Sequence, residues 1–270
     1  MRRATRTPAT RQERQLPDRY TETIFALVHG EPDAGKSWLG QTTPAPRLVL
    51  DAEGGSRHVR KIVNGRAERV PMVRWDPMRD APPVDDGTWE MCEVYVRDFN
   101  VIKRVYQYLN EGAHPFRSVV LDSLTEIQKR CKDAISGEGT PSERQWGELL
   151  IQMEQMIRLQ FRDLTFHPTH PIECIVVLAL TQERGRNSKS RPAVQGALGT
   201  SLPGYVDLEG YLASSLGDDG IPERRMLIHN HELYEAKCRL HDLTEHYGSV
   251  IANPNFTDML DILNTEAANK

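Results

Sequence analysis

The sequence predicts an α/β fold: a mostly parallel central sheet flanked by helices, with antiparallel strands added toward the C-terminus. Three observations carry this. Ser118–Asp122 (SVVLD) and Ile172–Leu180 (IECIVVLAL) are near-continuous runs of branched apolar residues, the pattern of strands covered on both faces. The stretches between such runs carry one apolar stripe at helical spacing, and strands alternating with helices argue for right-handed crossovers and parallel pairing. A glycine-containing loop directly follows the first apolar strand, where a strand–loop–helix unit would open the sheet.

The elements follow in order. Residues 1–19 hold six arginines (Arg2, Arg3, Arg6, Arg11, Arg14, Arg19) against Glu13 and Asp18, with few large apolar residues, and read as a flexible basic arm. Residues 20–250 read as one domain, and 251–270 as a C-terminal helix and tail. Ile24–Val28 is the first strand, Arg47–Asp51 (RLVLD) the second and Val70–Trp75 a third. Phe99, Ile102, Tyr106 and Leu109 mark one helix. Trp146, Leu149, Met153, Met156, Ile157 and Leu164 mark another of about five turns. Asp76–Thr88, Ser136–Ser142 and Thr181–Pro203 read as loops, and Asp218-Asp219-Gly220 as a turn. Strand-like segments return at Tyr205–Ala213, Arg225–His229 and Leu233–Cys238, and a short helix at Phe256–Leu263 closes the chain.

Composition narrows the class. The 270 residues carry 34 Lys+Arg against 38 Asp+Glu, a net charge of −4, which excludes a uniformly basic, histone-like protein but not a local basic patch. A chain of this length buries a core without disulfides or a structural metal. Cys92, Cys131, Cys174 and Cys238 are widely spaced with no CxxC pair, so reduced thiols in a cytoplasmic compartment are expected. No segment approaches the ~20 apolar residues of a membrane span, and the N-terminus lacks a secretory h-region. The pairs His167/His170 and His229/His231 have no third ligand at a convincing spacing, and no metal is expected there.

The chemistry starts at Gly30-Glu31-Pro32-Asp33-Ala34-Gly35-Lys36-Ser37, which matches G-x-x-x-x-G-K-[ST] directly after a strand. Backbone N–H groups of such a loop converge on an anion, and the following helix, from Lys36 through Trp38, adds its positive end. Gly35 lets the backbone approach the phosphates of ATP, Lys36 reaches the β- and γ-phosphates, and the Ser37 hydroxyl ligates Mg²⁺. A second acid is needed to complete the metal shell. Asp122, at the C-terminal end of an apolar strand, supplies it; its alternative role is to cap the helix that follows. The strand ending Asp51-Ala52-Glu53-Gly54-Gly55 puts further acids at that edge. Glu53 is the candidate for activating water, and a solvated acidic turn is the alternative.

In order, the chain shows this loop, a strand ending DAEGG, a strand VVLDS and a strand VVLALTQ before a basic loop. This resembles the RecA-like P-loop NTPase core, and in detail the small phage-encoded Sak-four-type ATPases of recombination and single-strand annealing, over roughly residues 23–240. The short loop helix closed by Thr42-Thr43-Pro44 shares that likeness. The resemblance implies that Glu53 is the catalytic carboxylate and that Gln182 is a γ-phosphate sensor opening the second DNA-binding loop. It also implies that Ser136–Ser142 stands at the first DNA-binding loop. Lys237-Cys238-Arg239 resembles a Lys-x-Arg hairpin that reaches a neighbour's ATP, with Cys238 an unusual filler. The implied partners are single-stranded DNA, further copies of the chain in a ring or filament, and a single-strand-binding protein, in the cytoplasm of a bacterial host.

The loop after Leu180 is itself basic: Arg184, Arg186, Lys189 and Arg191 oppose only Glu183. Cations on a mobile loop can track a phosphate backbone without reading sequence. The loop has no aromatic residue, which leaves Tyr205 and Trp146 as candidates for base stacking. Three functions are thus open: a DNA-stimulated ATPase of recombination, an annealing module whose ATP site is regulatory, and a metabolic P-loop ATPase or kinase. The lack of an Arg-rich lid elsewhere counts against a kinase, and the lack of an [NT]KxD motif against a GTPase.

Overall fold

The computed structural model describes residues 22–63, 66–137, 139–183, 188–217 and 222–269. The basic arm at 1–19, Arg184, Arg186 and the turn at 218–220 lie outside the described residues. Strand β1 (Ile24–Gly30) leads into helix α1 (Lys36–Gly40). Then come β2 (Arg47–Asp51), a 3₁₀ turn at Ser56–His58, the hairpin β3 (Arg60–Val63) and β4 (Arg66–Arg69), β5 (Met72–Arg74) and β6 (Met91–Tyr95). Helix α2 (Phe99–Asn110), β7 (Ser118–Asp122), α3 (Leu124–Ser136), α4 (Glu143–Glu154), a π-helical stretch (Gln155–Phe161) and α5 (Arg162–Leu164) precede β8 (Cys174–Gln182). The chain ends through β9 (Arg191–Pro192), α6 (Leu198–Tyr205), β10 (Leu208–Leu216), β11 (Pro222–Leu227), β12 (Lys237–Cys238), α7 (His241–Tyr247), β13 (Val250–Ala252) and α8 (Phe256–Asn269).

The main sheet runs in the order β13-β11-β10-β1-β8-β7-β2-β6-β5, with β12 paired to β10 and β9 to β8. From β10 to β5 every neighbouring pair is parallel, whereas β11, β12 and β13 are antiparallel additions. This is the α/β architecture expected of a P-loop NTPase. Successive residues of a strand face opposite sides, so each central strand feeds two cores. Phe25 and Leu27 of β1 join Leu48, Leu121 and Val177 against α2, α3 and α4. Ile24, Ala26 and Val28 join Val49, Val120 and Val176 on the other side, covered by residues of α1, α7 and α8 such as Leu39, Leu243 and Phe256. Two covered faces are the reason these strands read as unbroken apolar runs.

Helix α1 is only five residues long, as the Thr42-Thr43-Pro44 signal indicated. Helix α8 docks on its end: Phe256 N donates to Thr42 Oγ1 at 3.0 Å, and Thr257 donates to Thr42 O through both N and Oγ1 at 3.0 and 2.7 Å. The long helical run from Glu143 to Leu164 is present but contains the π-helical stretch, which keeps Met153, Met156, Ile157, Phe161 and Leu164 all facing the core. The loop Asp76–Thr88 is held down by two indoles, Trp75 Nε1 donating to Asp80 O and Trp89 Nε1 to Val84 O, each at 3.2 Å.

Several expectations are corrected. The third strand is Met72–Arg74 rather than Val70–Trp75. Strand β6 went unread because Glu93 interrupts its apolar run; Glu93 is tolerated inside because Arg74 Nε pairs with it at 2.7 Å. The segment Leu233–Cys238 is strand only at Lys237–Cys238, with an isolated bridge between Ser190 and Tyr234. The supposed loop Thr181–Pro203 contains β9 and most of α6, because Gly, Ser and Pro composition masked a return strand and a helix that includes Pro203. Helix α7, strand β13 and the hairpin β3–β4 were not anticipated, although Asn64-Gly65 is a two-residue hairpin signal. No described helix is long and apolar enough to cross a membrane.

Phe256 is fully buried where α8 meets the sheet and α1. Truncating such a side chain leaves a cavity, so Phe256→Ala is expected to lower stability by about 3–5 kcal/mol in urea denaturation followed by circular dichroism.

Candidate active site

The site forms where four adjacent parallel strands end at one edge. Gly30 of β1 pairs with Leu180 of β8, Asp122 of β7 pairs with Leu178 of β8, and Asp51 of β2 pairs with Asp122. Register alone therefore brings the loop after Gly30, the carboxylate Asp122 and the turn after Asp51 to one crevice, the place where open α/β sheets bind ligands. A cavity of about 700 Å³ lies there, lined by Lys36, Ser37, Trp38, Glu53, Asp122 and Arg224, among others.

The loop needs both of its terminal glycines. A Cβ on Gly30 would fall 2.4 Å from Leu212 O of β10. Gly35, the N-cap of α1, has φ +89°, a left-handed conformation that L side chains rarely adopt, and a Cβ there would meet Arg224 Nε at 2.2 Å. Lys36 is buried, and its Nζ donates to Gly30 O at 2.9 Å and Glu31 O at 2.7 Å. Burial pushes its pKa down, against the pull of Asp122, Glu53, Glu31 and Asp33. The lysine thus lies folded along its own loop.

Asp122 is not the helix cap. Ser123 takes that role, its side chain accepting from Glu126 N, and this leaves the Asp122 carboxyl to the cavity. There it accepts a hydrogen bond from Ser37. The Asp122 pKa is pushed up to about 6, chiefly by burial, with Asp51 and Glu53 adding to the rise and the Ser37 hydrogen bond and Lys36 opposing it. Ser37 and Asp122 together present hard oxygen donors, the set that suits Mg²⁺ held by one carboxylate, a hydroxyl and phosphates. Among the described residues no group of three or more His, Cys, Asp or Glu is arranged to hold a metal by itself.

Glu53 is presented by Asp51. Asp51 is fully buried and accepts from Glu53 N, Gly54 N and Gly55 N on Oδ1 (3.0, 2.6 and 3.3 Å). It also accepts from Ser56 N on Oδ2 at 2.9 Å and from the Ser56 hydroxyl. These five donors curl residues 53–56 around one carboxylate. Glu53 is left exposed above, accepting from the Ser123 hydroxyl next to Asp122. Glu53 also borders a second cavity of about 520 Å³ lined by Arg57, Arg74, Asp76 and Tyr95.

The remaining expected residues are placed less centrally. Gln182 ends β8 two residues past Leu180, which lines the nucleotide cavity, so both share one strand face. Lys189 bonds Asn230 Oδ1. Arg191 is buried within β9, opposite Gln182, and does not display its guanidinium on a flexible loop; β9 zips back onto β8 and shortens that loop. Lys237 and Arg239 stand away from this chain's own phosphate loop. Lys237 pairs with Glu209, level with Leu27 at the middle of β1, and Arg239 donates to Gly204 O at 3.2 Å. Lys237 is pushed down by burial and by Arg239, while Glu209 is pushed up to about 7 by burial and Glu235.

Two site residues carried no legible motif. Arg224 of β11 lies over Trp38, Cζ 4.3 Å from the ring, and its buried Nε has no partner among the described residues. Desolvation lowers its pKa. His29, just before the loop, is fully buried. Its Nε2 must donate to Glu235 O at 2.8 Å, because a carbonyl only accepts, so Nδ1 accepts from Thr181 Oγ1 at 2.9 Å. Burial pushes its pKa down to about 4, so the ring is neutral at ordinary pH. His29 therefore ties the start of the phosphate loop to the base of the basic loop. Only the fold reveals either residue, since both act through partners distant in sequence.

Strand–loop–helix, a lysine and a serine on the loop, and two acids at neighbouring strand ends define a P-loop NTPase. A family comparison matches residues 23–240 to the AAA domain, and the chain belongs to this family of P-loop ATPases. No protein of curated function matches the chain.

The raised Asp122 pKa means the folded state binds its proton more tightly than the unfolded chain does. Stability of the nucleotide-free protein thus declines as pH rises from the ordinary carboxyl range through about 6, and the ionised carboxylate of the folded chain appears as pH passes about 6. Asp122→Asn is expected to raise stability at pH 8 by about 1–2 kcal/mol in denaturant titration. In the native chain, kcat/KM for ATP is expected to climb as pH passes about 6. Arg224→Ala removes a desolvated cation beside the loop, and its Kd for a nucleoside triphosphate by calorimetry is expected to rise roughly tenfold.

Proposed function

We propose that this P-loop ATPase is a single-stranded-DNA-binding ATPase of the recombination and annealing type used by phages, hydrolysing ATP between subunits. The observation that carries the reading is the convergence of Lys36, Ser37, Glu53 and Asp122 on one cavity, with the strand leaving it, β8, followed in the sequence by Arg184, Arg186 and Lys189. Phosphoryl transfer to water asks little covalent chemistry of a protein; it asks for position and charge. Lys36 swings from its loop carbonyls to the β- and γ-phosphates, while the loop N–H groups hold the phosphate chain. Ser37 and Asp122 would hold Mg²⁺, which supplies charge neutralisation on the phosphates when bound. Glu53, fixed by the Asp51 turn and Ser123, orients a water and takes its proton.

Gln182 reports the γ-phosphate to the following loop, whose Arg184, Arg186 and Lys189 meet DNA phosphates. Lys237 or Arg239, outside the residues that line this chain's own cavity, would serve the site of an adjacent copy, and such a cation supplied in trans is worth ~10³–10⁵ in rate. An interface joining two different faces builds rings or filaments.

The test is ATP hydrolysis with and without single-stranded DNA at two salt concentrations. Lys36→Ala is expected to abolish turnover. Glu53→Gln is expected to retain ATP binding while kcat falls by ~100-fold or more. Strong, salt-sensitive stimulation by DNA supports the reading. DNA binding without stimulation turns the site into a regulatory one, and no DNA binding at all leaves a metabolic ATPase.

A further inference from the structure

The strongest concentration of positive charge lies outside the loop after β8. From Ser56 to Arg74 the chain carries Arg57, Arg60, Lys61, Arg66, Arg69 and Arg74 against the one carboxylate Glu68, in a protein of net charge −4. Lys61 is paired with Glu90, and Arg74 with Glu93. Arg57, Arg66 and Arg69 are exposed, and none of them pairs with a carboxylate among the described residues.

Geometry sharpens the point. The hairpin β3–β4 forms a separate two-stranded sheet beside the main one, and its strand Arg66–Arg69 is exposed throughout. Arg60 sits directly opposite Arg69 in the antiparallel register, so their side chains share one face. Like charges facing each other across strands destabilise a hairpin, and two-stranded hairpins are marginal to begin with. An anion lying across that face would turn the repulsion into attraction. The face also adjoins the nucleotide cavity, whose wall includes His58, Val59 and Arg60. It leaves the sheet through the turn that carries Glu53.

We propose that the face of hairpin β3–β4 carrying Arg60 and Arg69 is a phosphate-backbone site for single-stranded nucleic acid, next to the ATP cavity. The inference rests on the DNA-binding reading above and adds a surface to it. Arg69 is exposed, and Arg60, half-buried, donates to His58 O and Val59 O at 3.2 and 3.1 Å with donors left over; both meet the sugar–phosphate chain without reading bases, so binding there is salt-sensitive and indifferent to sequence.

The test uses the full-length protein, a labelled oligo-dT strand and a salt titration, comparing the native chain with R69E and R69A. R69E places a carboxylate opposite Arg60 and relieves the cross-strand repulsion, so its melting temperature is expected to match or exceed the native value. Its affinity for the strand is expected to fall about tenfold or more, and R69A is expected to lose about 0.7 from the log–log salt slope, one phosphate contact. ATP affinity is expected to stay unchanged in both.

If the native chain binds oligo-dT and R69E binds as tightly with the same slope, the hairpin proposal fails while the DNA-binding reading stands. If R69E instead weakens ATP binding or changes only the oligomeric state, the arginines serve the nucleotide or another copy, and the proposal is overturned. Absence of oligo-dT binding by the native chain removes the DNA-binding reading itself, and this proposal with it.

Discussion

The parallel register of β1, β8, β7 and β2 is the constraint on which the rest of the molecule depends. With both faces of the sheet covered, the middles of these strands admit almost nothing but apolar side chains, and polar chemistry is pushed to their ends. Because the pairs Gly30–Leu180, Asp122–Leu178 and Asp51–Asp122 fix where those ends fall, the phosphate loop, Asp122 and the turn bearing Glu53 arrive at one edge together. A slip of one residue in any pair would turn the strand's apolar set to the wrong core and carry its acid away from the crevice.

A second layer of polar contacts makes the edge usable. Asp51 spends its whole carboxylate on organising residues 53–56, so that Glu53 can face outward. Ser123 caps α3 and also holds Glu53, which frees Asp122 for Ser37. His29 joins β1, β8 and the segment before β12 through a neutral ring, and Glu235 N in turn donates to Ser190 O at the returning end of the basic loop. The phosphate loop and the basic loop thus share a buried support, and a shift at either is felt by the same imidazole. Buried polar groups satisfied this completely are rigid, which suits a reaction governed by position.

Much of this was legible in the residues. The P-loop, the strand ends Asp122 and Asp51, and the acid Glu53 could be read because each is a local pattern with a local physical reason: glycines where a backbone must bend or approach closely, and a carboxylate where an apolar run stops. Arg47–Asp51 and Ser118–Asp122 are strands to the residue, while the longest run, Ile172–Leu180, starts and ends two residues before the strand it marks, Cys174–Gln182. Reading failed where local composition and tertiary role diverge. Glu93 hid β6 because its charge is neutralised by Arg74, a partner on another strand. Gly, Ser and Pro hid β9 and α6 because their pairing and packing partners are distant. Arg191 read as a loop cation, yet β9 carries it into the interior.

The sequence by itself determined the class of fold, the phosphate loop and the acids that line the cavity beside it, since hydrophobic period and backbone sterics act between near neighbours. Only the tertiary structure decided that Arg224 covers Trp38, that His29 bridges two loops, that Lys237 and Arg239 stand apart from their own nucleotide loop, and that Arg60 faces Arg69. Each of these depends on which strands lie side by side and in what register, and that is settled by the packing of the whole sheet rather than by any segment of it.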